Sequence, residues 1–420
     1  MSTINVEHDI NIHLENKGIS RRFFLYIFAM YSLVCMTKNC FNGALADIVS
    51  EGVLTKSQTG LITAMFYIVY TPLQIVGGIF ADKFSPERMI KIGLIGGAIA
   101  NTVIFFNHNY YVMLASWILN GVVQFALWPS TYKIVSSQLC RSDRTYMIFV
   151  ITLASYVGLV ISYIVAGILP SWEYNFAFSA AVLFLLSVGL HIYDKHLNPY
   201  MKPDYKPVET KSGTESVRSL STVSLFMKSG FFGMLIAVLG YTIVAQGSKT
   251  LFPIMVVETF GKSASVGNLL NTLIIVAGIA GVFFLRFVLY PRFVKNEVFG
   301  MLIFMALTAG FGLILIWAME FSVVVITFSS VSFITSMVGI LVSYCNVEFV
   351  KYGKNGTAAG ISNAASALGY AISSYVIVKI SEVYDWQVVK FVWLALSLVS
   401  VVSLALILPM WIRFKKKGLD

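Results

Sequence analysis

A 420-residue chain with 57% hydrophobic and only 12% charged side chains, and a mean hydropathy of +0.79, excludes an ordinary soluble domain, in which about a quarter of residues are charged. The net charge of +10 is spread over short joints along the chain rather than gathered in one basic patch, which argues against nucleic-acid binding. The apolar runs are continuous rather than alternating and about 20 residues long; this excludes a membrane β-barrel and leaves helices that satisfy their own backbone in lipid.

Taken in order, Met1 to Asn16 is polar and offers no cleavable leader, and the first apolar run follows Arg21-Arg22 as a retained helix. Twelve spans are predicted. Six cover 22–46, 58–80, 89–107, 111–136, 146–169 and 173–192. Six more cover 229–257, 265–287, 298–318, 321–346, 355–380 and 386–412. The long polar stretch from His196 to Ser221, with Lys202, Asp204, Lys206, Glu209, Lys211, Glu215 and Arg218, is expected to be a flexible linker. The predicted organisation is a tail over 1–20, a six-helix bundle over 21–192, a linker over 193–222, a second six-helix bundle over 223–413 and a basic tail over 414–420.

Lys and Arg fall on one set of joints: Arg21 and Arg22; Lys83, Arg88 and Lys91; Arg141 and Arg144; the linker; Arg286, Arg292 and Lys295; Lys351 and Lys354; and Arg413 with Lys415 to Lys417. The opposite set holds little beyond Lys56, Lys262, Lys379 and Lys390. By the positive-inside rule both termini and the linker are expected on the cytoplasmic side of the inner membrane.

The four cysteines have no CxxC or metal-ligand spacing and read as small buried thiols. None of the five histidines sits mid-membrane. No nucleophile–base set, metal cluster or Walker sequence is present, so neither an enzyme nor any cofactor or metal is expected.

The joint after the second span reads Gly78-Ile-Phe-Ala-Asp82-Lys83-Phe-Ser-Pro86-Glu-Arg88. The run Gln124-Phe-Ala-Leu-Trp128-Pro129-Ser-Thr-Tyr-Lys133 lies in the fourth span, and Gly356-Thr-Ala-Ala-Gly360 leads to Leu368-Gly369 and Asp385-Trp386. These stretches resemble the major facilitator superfamily, and within it the organophosphate:phosphate antiporters and their anion:cation symporter relatives. Ser85-Pro86 departs from the usual Gly-Arg of the first motif. The resemblance implies two six-helix halves that rock about a site near the bilayer midplane. It also implies gating roles for Asp82, Lys83, Arg88, Lys133 and Arg144, and a monomer. Those antiporters place an arginine on each of helices 1 and 7; here the nearest residues are Lys38 and Lys249. Gln74 and Ser155 stand where the glycerol-phosphate transporters carry a lysine and a histidine.

Charges inside spans are costly and usually face a cavity or a partner. Lys38 and Lys249 are therefore candidate anion ligands, against the alternatives that Lys38 snorkels or pairs with Asp47 and that Lys249 is interfacial. Tyr67, Tyr70 and Gln74 share a face of span 2, Gln124 and Trp128 a face of span 4, and Asn39 and Asn42 lie near Lys38. Tyr241, Gln246, Asn271 and Asn363 are candidates in the second half; such amides also serve to bond helices together. Asp47 and Glu348 are the residues considered for proton coupling. The expected partners are a small anionic solute and the lipid bilayer. The expected function is alternating-access transport of a sugar phosphate or sugar acid. The alternatives are proton-coupled transport of a neutral or cationic solute, drug efflux included, and a transporter-like sensor.

Overall fold

The structure is a computed structural model that describes residues 11–14, 16–140, 143–197, 200–204, 222–352 and 354–417. Long helices form where the sequence places uninterrupted apolar runs, and several of their starts carry side-chain caps. Asn16 Oδ1 accepts from the N–H groups of Gly18 and Ile19 at 2.9 and 3.1 Å and opens α1 (Lys17–Ser50). After α2 (Lys56–Lys83), Ser85 caps α3 (Pro86–Phe106) with Pro86 in its first turn. The Ser-Pro departure from the family motif is thus a helix start. The first half continues with α4 (Tyr110–Val123), α5 (Leu127–Lys133), a π-helical turn (Ile134–Gln138), α6 (Arg144–Ile168) and α7 (Glu173–Leu197).

The second half opens with a short helix, α8 (Thr222–Ser229). Gly230 and Gly261, both at positive φ, then bound α9 (Phe231–Phe260). There follow α10 (Ala264–Phe284), a π-helical turn (Leu285–Leu289), α11 (Tyr290–Arg292), α12 (Glu297–Trp317) and α13 (Phe321–Val347). A 3₁₀ turn (Glu348–Tyr352), α14 (Asn355–Ile372), a π-helical turn (Ser373–Ile377), α15 (Val378–Val383) and α16 (Trp386–Lys417) complete it. Among the described residues ten helical stretches are long and apolar enough to cross a membrane. With α2 and α6 they make the twelve spans of an all-α, multi-pass membrane protein.

The two halves repeat one packing scheme. In the first, α1 packs on α6, α3 on α7, and α2 on α4. In the second, α9 packs on α14, α12 on α16, and α10 on α13. Close approach depends on glycine: a Cβ on Gly158 would lie 2.1 Å from the Ser32 carbonyl of α1, and one on Gly281 2.1 Å from the Phe333 carbonyl of α13. Each half has its own buried cluster, around Phe24, Ile27 and Leu94 in one and around Phe231, Met301 and Phe349 in the other.

Two details go beyond the sequence expectations. Span 4 is one run in the sequence but is broken between α4 and α5, where Pro129 has no N–H to return to the carbonyl four residues back. And the all-α architecture carries a small sheet in what reads as tail and linker. Strand β1 (Asn11–Leu14) pairs antiparallel with β2 (Met201–Asp204), Leu14 opposite Met201. Leu14 is fully buried in the core of the first half, which draws the polar tail under that bundle. Residues 205–221 of the expected linker lie outside the described residues.

Candidate substrate site between the two halves

Lys38 and Lys249 lie at matching heights on corresponding helices, about twelve residues before Ser50 on α1 and about eleven before Phe260 on α9. Both are half-buried. Lys38 Nζ donates to Tyr70 Oη at 2.9 Å and sits 4.7 Å from the Tyr70 ring centroid and 5.7 Å from that of Tyr31. Aromatic faces can hold an ammonium in this way without neutralising it. Asp47 lies nine residues further along α1, about 13 Å of helix rise, and makes no ion pair with Lys38.

Lys249 lines a cavity of about 80 Å³ together with Tyr156, Tyr241, Thr242, Gln246, Thr335, Ser336 and Tyr370. Its ammonium has no hydrogen-bond or ion-pair partner among the described residues. A charge of this kind in the membrane interior is costly unless water or a ligand meets it. The rest of the lining is hydroxyl-rich, and the buried Ser336 Oγ has no partner among the described residues. Gln246 Nε2 donates to Thr250 Oγ1 at 2.9 Å, leaving its carbonyl oxygen open to other donors. Tyr67 of α2 meets Tyr370 of α14 at 5.2 Å between ring centroids, so an aromatic bridge links the surroundings of Lys38 to the Lys249 cavity.

Other sequence candidates fall differently. Asn39 Nδ2 donates to the Cys35 carbonyl, and its Oδ1 accepts from Asn42 Nδ2 at 3.3 Å, while Asn42 Oδ1 is buried without a partner among the described residues. Trp128 packs on Tyr31 at 5.0 Å, inside the first half. Gln124 is fully buried, bonds to Asn120 and faces Gly97 of α3, so it bonds helices together and does not line the cavity. Asn271 is buried and donates to the Lys249 carbonyl at 2.6 Å. Ser155 and Asn363 are exposed and do not line the cavity. The side chains of Gln74, Asp82, Lys83 and Arg144 lie outside the described residues. Arg88 is exposed in the first turn of α3, and Lys133 is half-buried at the end of α5.

Neither carboxylate considered for proton coupling lines the cavity. Glu348 lies 3.6 Å from Lys415, whose Nζ also donates to both oxygens of the buried Glu297 at 2.7 Å; this cluster sits at the face that carries the termini. Asp47 is half-buried near the opposite end of α1. The polar cavity residues absent from the sequence reading are Tyr156, Thr242, Tyr370, Thr335 and Ser336. Tyr156 had a signal, since it follows Ser155, the position the resemblance pointed to; the others carry none beyond being polar within a span.

Among the described residues, the halves meet towards the face opposite the start of α1 and the end of α16. Lys56 Nζ pairs with Glu258 Oε2 at 2.8 Å and donates to the Ser381 carbonyl at 3.2 Å, and Trp386 Nε1 donates to the same Glu258 oxygen at 2.9 Å. Ser57 bonds to Glu382, Ser265 to the Gly167 carbonyl, and Asn268 to the Gly43 carbonyl. Tyr163 Oη donates to the Lys249 carbonyl at 3.2 Å.

Comparison with known proteins agrees with this architecture. A "Probable hexose phosphate transport protein" of Chlamydia pneumoniae is 22% identical over 93% of this chain and 90% of that protein. The "Membrane sensor protein UhpC" of Escherichia coli K12 is 31% identical over 124 residues, 30% of this chain. That match spans only 28% of the sensor's length, and the one to its Salmonella typhimurium counterpart only 39%. Among solved structures, a bacterial homolog of the human lysosomal transporter Spinster, inward-facing and occupied, superposes with a TM-score of 0.77 at 12% identity over 96% of this chain and 98% of that one. The Major Facilitator Superfamily profile matches residues 27–374, and the chain belongs to that family.

Proposed function

We propose that this protein is a secondary transporter that moves a small organic anion, a sugar phosphate or a sugar acid, across the inner membrane by alternating access. The observation that carries the reading is the unpartnered ammonium of Lys249 in a hydroxyl-rich cavity between helices, with Lys38 at the same height on the corresponding helix of the other half. A cation in the cavity, with a second held by Tyr70 on the corresponding helix of the other half, suits a negatively charged head, and tyrosine, threonine and glutamine groups suit the hydroxyls of a sugar. Names among the similar proteins point the same way: hexose phosphate transport for the Chlamydia protein and D-galactonate for a transporter of Escherichia coli O6:H1, 23% identical over 36% of this chain.

The basic joints support a cytoplasmic side for both termini and the linker, by the positive-inside rule. The contacts through Lys56, Ser57 and Tyr163 then hold the halves together on the outer side. Asp82, Lys83, Arg88, Lys133 and Arg144 are the groups that would meet when the inner side closes. The domain division into 21–192 and 223–413, with a linker between, follows the repeat of the packing scheme. With Glu348 beside Lys415 and Asp47 outside the cavity, exchange of one anion for another is the coupling mode best supported. The protein works as a monomer, with no enzymatic step or cofactor.

Uptake by proteoliposomes tests the reading. Uptake of a hexose phosphate or aldonate that is competed by the other anion supports it; uptake only of neutral solutes overturns it. The similarity to a membrane sensor favours one second reading, a receptor that binds the same anion at the same lysines without moving it. Ligand-induced stabilisation with no uptake would select that reading.

A further inference from the structure

We propose that Tyr163 is a positioning residue that ties the ligand lysine, Lys249, to closure of the outer face; this inference rests on the transporter reading above. Its basis is a proline four residues along. Pro253 lies inside α9, so the carbonyl of Lys249 has lost the N–H that an uninterrupted helix would return to it. In lipid such a freed carbonyl has to find another donor.

Two side chains supply donors. Asn271 of α10 donates to it at 2.6 Å from within the second half. Tyr163 of α6, 1% exposed, donates to it at 3.2 Å from the first half. A carbonyl oxygen has two lone pairs, and these two donors fill both. One residue thus carries the ammonium that faces the cavity and the acceptor that bolts the halves together. Movement of the α9 backbone at Lys249 when an anion draws its side chain displaces that acceptor from Tyr163. Opening of the outer face, in turn, strips the buried hydroxyl of its partner until water reaches it. Site occupancy and interface closure are coupled through a single oxygen atom.

Tyr163→Phe removes the hydroxyl and little else. The test uses the full chain in proteoliposomes, with spin labels on Asn107→Cys and Lys262→Cys, exposed positions on the outer joints of the two halves; all four native cysteines are buried. Loss of one net hydrogen bond should raise the ratio of open to closed outer distances about three- to tenfold. Pro253→Ala returns an N–H that competes for the carbonyl, so in that background Tyr163→Phe should change the ratio by less than about twofold, the non-additivity expected of groups sharing one acceptor. Asn271→Ala leaves Tyr163 as the remaining side-chain donor, and the same substitution should then have a larger effect than in the parent. An unchanged ratio for Tyr163→Phe, or equal shifts in all three backgrounds, would overturn the inference and leave Tyr163 a packing residue. Anion uptake by the parent protein is measured beside this: no uptake with the distance shift intact removes the transporter reading alone.

Discussion

Lys249 is the side chain on which the chemistry turns. Lys249→Gln keeps the volume and removes the charge, so the protein should still fold. Anion affinity should fall about ten- to a hundredfold, the range for a lost hydrogen bond to a charged group. Thermal unfolding with and without a hexose phosphate measures this as loss of ligand-induced stabilisation. Lys249→Arg restores the charge in a planar fork, and a gain in preference for phosphate esters over carboxylates is expected, because two parallel bonds match a phosphate. Tyr70→Phe frees the Lys38 ammonium from its 2.9 Å acceptor but leaves the ring face in place; a loss of affinity several-fold smaller than for Lys249→Gln is expected. At this scale the sequence singled out Lys249 and missed most of the cavity wall. A lysine within an apolar run is conspicuous, whereas Tyr156 and Tyr370 look like any other tyrosines until the helices are packed.

Between helices, order depends on contacts no single span reveals. Glu297, 3% exposed at its side chain, is held by Lys415 from 118 residues away and accepts from Tyr290 Oη at 3.2 Å. Lys415→Ala leaves that carboxylate buried without its cation and should destabilise the second half by about 3 kcal/mol, read as a lower midpoint of thermal unfolding. Glu297→Gln with Lys415→Met should recover most of the loss. Gly158→Val drives a side chain into the Ser32 carbonyl and Cys35 of α1, and failure of the first half to assemble is expected by size-exclusion chromatography in detergent. Continuous apolar runs located the spans to within a few residues, because lipid demands a helix wherever a run is long enough. The interruption between α4 and α5 was less visible: prolines lie inside α2, α9 and α16 without ending them, so Pro129 alone does not announce a break.

The repeat of one packing scheme in both halves makes the interface between them the moving part. Gly60 of α2 lies against the Ser374 carbonyl and Val378 of the other half, where an added Cβ would approach that carbonyl to 2.4 Å. Gly60→Leu should therefore hold the outer face open, lengthen the distance between spin labels at positions 107 and 262 and block net transport while leaving each bundle folded. Glu258→Gln removes the negative charge that pairs with Lys56 while leaving one oxygen to accept, and should shift the same equilibrium more gently, with salt reducing the difference from the parent. The two-bundle architecture was legible in the sequence because each half repeats six runs with basic joints on one side. The strand pair was not, since its eight residues are polar or isolated and acquire partners only when the tail and connector are brought side by side.

That strand pair has a practical corollary. Asp204 closes β2, and Thr222 opens the next described helix, so a backbone cut between them leaves the stitched segment, and Leu14 beneath it, wholly with the amino-terminal fragment. The two pieces of a severed gene, made together in one cell, should each insert and then reunite as a working carrier, whereas a cut ahead of Met201 would unpick the hem that holds the leading segment in place.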